Sequence, residues 1–188
     1  MTCSAPESAS MKSSIRTVRA FTLIELLVVI AVILVLAGIT VPVTSRIVQN
    51  ARAASCTSNL RQLGAALNLY LGDHNQVMPT LQEGRSSTTQ NVPVIDNTLN
   101  TYVSDPRVFA CPADNKGLDA ATGTSYAWNN GLNGQSATNL TFFLSNGHNS
   151  QIPLMGDKEG FHPYALNKVN LLYADGHISQ ELTFGIAH

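Results

Sequence analysis

FTLIELLVVIAVILVLAGITV, residues 21–41, decides the architecture, and Glu25 is its sole charged residue. An apolar run of about 20 residues is long enough to cross a bilayer core as a helix. A secretory signal, by contrast, has an apolar region of only about 7–15 residues. Lys12, Arg16 and Arg19 precede the run, and the next cation is Arg46. Positive residues stay on the cytoplasmic side, so the N-terminus is expected inside and everything beyond Pro42 outside.

The 188 residues suit one modest domain plus an appendage. Eleven Lys and Arg face twelve Asp and Glu, so there is no basic surplus for nucleic acid and no nucleic-acid partner is expected. Before the apolar run, MKSSIRTVRA from Met11 forms a compact basic leader, whereas residues 1–10 are small and polar. Both Met1 and Met11 are candidate starts, and Cys3 exists only with the first.

A carboxylate at the centre of a membrane helix costs about 3 kcal/mol on insertion scales and tends to be functional. Near the interface it is cheap, so depth alone gives Glu25 no role. Its surroundings do. Arg19-Ala20-Phe21-Thr22-Leu23-Ile24-Glu25 followed by LLVVIAVI resembles the processing signature of type IV prepilins and type II secretion pseudopilins. The resemblance implies cleavage by a membrane prepilin peptidase between Ala20 and Phe21, followed by N-methylation of Phe21. It maps the assembly acid onto Glu25. The family usually has Gly where Ala20 stands; Ala is the next smallest side chain, so cutting is expected to be slower or unchanged. The new Phe21 amine of an incoming subunit would pair with Glu25 of a neighbour, since a buried charge is tolerated only when paired.

After Thr44, SRIVQNARAASCTSNLRQLGAALNLYLGDHN has helical periodicity. Ile47, Ala51, Ala54, Leu60, Leu63, Leu67 and Tyr70 recur mostly three or four apart, as an amphipathic stripe does. Gly72-Asp73-His74-Asn75 supplies the stop. A helix from Phe21 to about Leu71 would be roughly 75 Å long, with Gly38 and Pro42 marking a kink. Small residues at Ala51, Ala53, Ala54, Gly64, Ala65 and Ala66 would let other elements approach closely.

Residues 80–105 lack a long periodic run and read as loop with a short helix at Asn97–Val103. Short apolar runs follow at Val108–Cys111, Ser125–Trp128, Leu140–Leu144, Ile152–Met155, Asn170–Tyr173 and Ile178–Leu182. Gly, Asn, Asp and Pro separate them, which predicts strands of a small antiparallel sheet. VNLLYADGHISQEL is the clearest hairpin, with Asp175-Gly176 at its turn. The expected fold is therefore α+β, a long N-terminal helix whose second half covers the sheet. In domain terms this gives a leader at 1–20, a membrane or filament-core helix at 21–43, its amphipathic extension at 44–75 and a head at 76–188. The segments CTSNLRQLGAALNLYLGDHNQVMP, FACPADNKG, SYAWNN and NLLYADGHI resemble pseudopilin-like heads with a His-x9-Asp-Gly element. Asn170, Asp175 and Gly176 fit that element; Ala165 stands at the histidine position, and His162 is the nearest histidine.

Cys56 and Cys111 both fall beyond the membrane run. Either they pair, closing a loop worth roughly 4 kcal/mol in the entropic model, or they are two buried thiols. The resemblance also implies calcium as a candidate ligand of the head, with Asp105, Asp114, Asp157, Glu159 and Asp175 as oxygen donors, although there is no EF-hand spacing and no cofactor is required. The five histidines have neither HExxH nor paired spacing, so the sequence predicts no zinc site. No GxSxG, Walker or Rossmann motif is present, and no enzyme is predicted.

These features predict a structural subunit of a type II secretion pseudopilus or a type IV pilus-like filament. Its partners would be prepilin peptidase, copies of itself and other pseudopilins, an inner-membrane assembly platform and membrane lipid. It would sit in the bacterial inner membrane as a single-pass protein with a periplasmic head. The alternative is a membrane-anchored periplasmic binding module that keeps the processing signal.

Overall fold

The computed structural model describes residues 21–142, 145–146, 148–162 and 169–180, with backbone alone at 39–43 and 145–146. The leader, Ala20 and the candidate start codons lie outside these residues. Helix α1 runs Leu23–Asp73. The chain divides between Val43 and Thr44 into two compact units.

In the first unit, α1 is rich in β-branched residues, such as Val28, Val29, Ile30, Val32 and Ile33, which lower helix propensity slightly. Its large apolar side chains from Leu23 to Leu36 are exposed, from 50 % at Ile30 to 81 % at Leu23. The helical backbone assignment continues through Gly38 and Pro42; the side chains of Ile39–Val43 fall outside the description, and with them the bend expected at Pro42. Among the described residues, no helix is long and apolar enough to cross a membrane.

In the second unit, α1 supplies Cys56, Leu60, Leu63, Ala66, Leu67 and Leu71 to the core, all 5 % exposed or less. Each large side chain among them contributes about 2 kcal/mol by leaving water. The stripe is thus shorter than its periodicity suggested. Ile47, Ala51 and Ala54 are exposed, because the buried face begins at Cys56. The helix ends with Gln76 N–H donating to the Leu71 carbonyl at 2.9 Å, and Asn75 and Gln76 turn the chain at positive φ.

The head has α2 (Ile95–Thr98) and α3 (Leu118–Thr122). Strands β1 (Tyr126–Trp128), β4 (Pro153–Asp157), β5 (Leu171–Tyr173) and β6 (Ile178–Ser179) form an antiparallel sheet in the order β1-β4-β5-β6. Strands β2 (Thr141–Phe142) and β3 (Ser145–Asn146) pair separately. A helix followed by a small antiparallel sheet is the α+β, pilin-like arrangement. The β5–β6 hairpin registers Leu171 with Ser179 and Leu172 with Ile178. Gly176 sits at φ 88° in its turn, a conformation that glycine reaches without steric cost. Gly64 of α1 lets the helix close on β5, since a Cβ there would stand 2.9 Å from Leu172 Cδ2.

Two expected elements differ. The helix placed at Asn97–Val103 is instead α2 followed by a 3-10 turn at Asn100–Tyr102. Val108–Cys111 is not a strand: Pro106–Phe109 is a 3-10 turn. Asp105 caps it by accepting from Arg107 N–H at 2.9 Å, and proline at the first helical position is preorganised for that start.

Candidate functional site

At the N-terminus, Thr22 N–H and its hydroxyl each donate to Glu25 Oε2 at 2.9 Å, and Glu25 N–H donates to Thr22 Oγ1 at 3.3 Å. The two residues cap the helix reciprocally, as Thr-x-x-Glu spacing permits. Glu25 therefore does two local jobs at once: it satisfies the first turn, and it places one carboxylate on an otherwise apolar exposed surface. Thr22 was not among the candidate residues, although Thr22-Leu23-Ile24-Glu25 carries that spacing in plain view.

A second constellation lies in the head. Cys56 and Cys111 form a disulfide with Cα atoms 4.9 Å apart. Beside it, Asn59 Nδ2 donates to the Ala110 carbonyl at 2.8 Å, and Tyr126 packs fully buried, its phenol pushed up by burial. His162 Nε2 lies 3.8 Å from Cys111 Sγ and 3.1 Å from Asp157 Oδ2. Asp157 Oδ2 also accepts from Asn170 N–H at 2.7 Å and from Asn170 Nδ2 at 2.9 Å. His162 and Asp157 side chains are 2 % and 0 % exposed, and Asp157 Oδ1 has no hydrogen-bond partner among the described residues. His162 thus reaches the start of β5 through Asp157 and Asn170. Its displacement from the His-x9-Asp-Gly spacing leaves a histidine tied to that strand.

The five candidate carboxylates are not brought together. Asp105 pairs with Arg107, whose hydrogen bonds hold its carboxyl below the usual range. Asp114 accepts from Leu118 and Asp119 N–H and from Ser125 Oγ, capping α3. Glu159 pairs with Lys116, and Asp175 accepts from His177 N–H and Nδ1. Asp157 serves the histidine. Among the described residues, Cys56, Cys111 and His162 are the group of three donors close enough to share an ion.

A further, half-buried set joins Arg85, Asp96 and Lys158. Arg85 pairs with Asp96 and donates through Nε to the Thr122 carbonyl at 2.8 Å. Lys158 Nζ donates to Thr122 Oγ1 at 2.6 Å and to the Thr124 carbonyl at 2.8 Å. Burial raises the Asp96 carboxyl against the pull of Arg85, and burial lowers the Lys158 ammonium.

A capped apolar helix bearing one carboxylate, joined to a small disulfide-closed α+β head, has the build of an N-terminally anchored subunit. Residues 15–41 match the prokaryotic N-terminal methylation motif. That motif is the prepilin and pseudopilin signal, and it indicates a type IV pilin- or pseudopilin-like protein processed by prepilin peptidase, of a structural rather than catalytic class. It implies an inner-membrane-anchored N-terminus and assembly with other pilins. No curated protein and no solved structure matches the chain.

Proposed function

We propose that the chain is a structural subunit of a type II secretion pseudopilus or type IV pilus-like filament. Prepilin peptidase would cut after Ala20 and methylate Phe21. The first half of α1 would anchor the subunit in the inner membrane by a single pass, with the head in the periplasm, and would then pack in the filament core.

The observation that carries this reading is the matched motif, together with the exposure of the large apolar side chains from Leu23 to Leu36 in the single chain. Such a surface requires lipid or other helices around it. Glu25 is the one charge on it and would receive the Phe21 amine of the neighbouring subunit, fixing register.

Co-expression with a prepilin peptidase, followed by N-terminal sequencing, tests the first step. A chain starting at methylated Phe21 is expected. An intact leader would make this a plain anchored protein and defeat the proposal. Self-crosslinking through single cysteines placed along 27–36 tests packing, and its absence in assembling cells would reject the filament role.

A further inference from the structure

We propose that, in its dithiol form, the head holds a zinc ion between Cys56 Sγ, Cys111 Sγ and His162 Nε2, with Asp157, whose Oδ2 stands 3.1 Å from His162 Nε2, moving in as the fourth ligand. Three buried donors from distant parts of the chain already converge: Cys56 from α1, Cys111 after the 3-10 turn and His162 beyond β4. Their ligand atoms lie within 4.8 Å of one another. Tetrahedral zinc with bonds of about 2.3 Å to sulfur and 2.0–2.1 Å to nitrogen places those atoms roughly 3.5 Å apart. Cys111 Sγ and His162 Nε2 stand 3.8 Å apart, so that pair needs little movement. The two sulfurs, bonded to each other in the disulfide, would separate to roughly 3.8 Å about the ion.

The second observation is the orphaned oxygen. Asp157 Oδ2 accepts two donors from Asn170 and stands 3.1 Å from His162 Nε2, while Oδ1 has no hydrogen-bond partner among the described residues and the side chain is 0 % exposed. An unsatisfied buried carboxylate oxygen is costly, and a cation bound beside His162 would relieve it. Thiolate and imidazole donors select zinc over calcium or magnesium, and the Asn170 donors supply the outer hydrogen bonds that orient a ligating carboxylate.

The chemistry balances in two steps. A dithiol reductant exchanges with the Cys56–Cys111 bond, becoming a disulfide itself and leaving two thiols on the head. Zinc then displaces one proton from each thiol, while the proton on His162 Nε2 moves to Nδ1. Before the disulfide first forms, the newly made chain already has both thiols, and the second step alone suffices.

The test uses the full chain in detergent micelles in a Cys3→Ser background, so that only the two head cysteines remain. After reduction by a trialkylphosphine, which takes up oxygen from water as the disulfide becomes two thiols, cobalt(II) is titrated in as the probe. The expected result is one equivalent bound, with ligand-field bands of a tetrahedral site and a thiolate charge-transfer band, both removed by zinc. The oxidised protein should show neither. His162→Gln and Asp157→Asn should each weaken binding at least tenfold, and Cys56→Ser should abolish it. Should these variants misfold, zinc must still raise the unfolding midpoint of the reduced wild-type head, read from Trp128 fluorescence. Absence of tetrahedral bands, reduction that unfolds the head without binding, or equal affinity in His162→Gln would each overturn the site.

Discussion

Glu25 is hydrogen-bonded to Thr22, the residue three before it, through both the backbone N–H and the hydroxyl of that threonine. The acid of the motif is thus occupied within its own chain before any neighbour arrives. A subunit's amine must compete with Thr22 for the same carboxylate. Thr22→Ala removes one donor but leaves the charge, whereas Glu25→Ala removes the charge. Filament yield by shear and immunoblot should fall in the order wild type, Thr22→Ala, Glu25→Ala, with cleavage retained in all three. Glu25→Ala filaments at wild-type yield would remove the carboxylate from the assembly mechanism.

The disulfide spans 55 residues of sequence. Constraining a loop of that length in the unfolded chain is worth about 4 kcal/mol in the entropic model. Cys111→Ala should lower the unfolding free energy of the head by about that amount, read by urea titration of the single tryptophan, Trp128. A loss below about 1 kcal/mol would show that the denatured chain gains little freedom without the bridge.

Gly156 faces β5 at close range: a Cβ there would meet Leu171 Cδ2 at 2.5 Å and the Asn170 carbonyl at 2.8 Å. Because one of these is backbone, no rotamer change relieves it. Gly156→Ala should cost the head about 3 kcal/mol by forcing β4 from β5. Gly38→Ala is the matched control. Nothing lies within 4 Å of a Cβ at that position, and head stability should be unchanged.

Lys158 gives the head an alkaline signature. Burial lowers its ammonium below the ordinary 10.5, so between the two values the unfolded chain holds the extra proton. Stability therefore rises with pH across that window. The advantage of wild type over Lys158→Met in urea should grow from neutral pH toward about 10. Above 10.0 the raised Tyr126 phenol works the other way, since the folded chain then keeps the proton. A difference that stays flat with pH would mean that Lys158 keeps its ordinary proton affinity in the fold.

Elements written in local sequence were legible. The run from Phe21 is legible as a helix from its length, since about 20 apolar residues suit a membrane-spanning helix, and the β5–β6 hairpin follows from Asp175-Gly176, a turn chemistry contained in four residues. Val108–Cys111 misled because its apolar content suggests a strand, while Asp105-Pro106 starts a 3-10 turn. Ile47 and Ala51 keep helical periodicity, yet only from Cys56 onward does a core exist to receive such residues. The donors around His162 were invisible for another reason. They come from α1, from the segment after the 3-10 turn, from the end of β4 and from the residue before β5, so no spacing along the chain records their meeting.

The link between Cys56 and Cys111 also sets how the subunit responds to mechanical load. A head pulled open between the helix and its far end could not pay out the segment between those two cysteines. With 55 residues locked away, the extended chain is shorter by about 190 Å than without the bridge. A subunit strained in this way would yield over a shorter distance and stiffen earlier than one without the bridge.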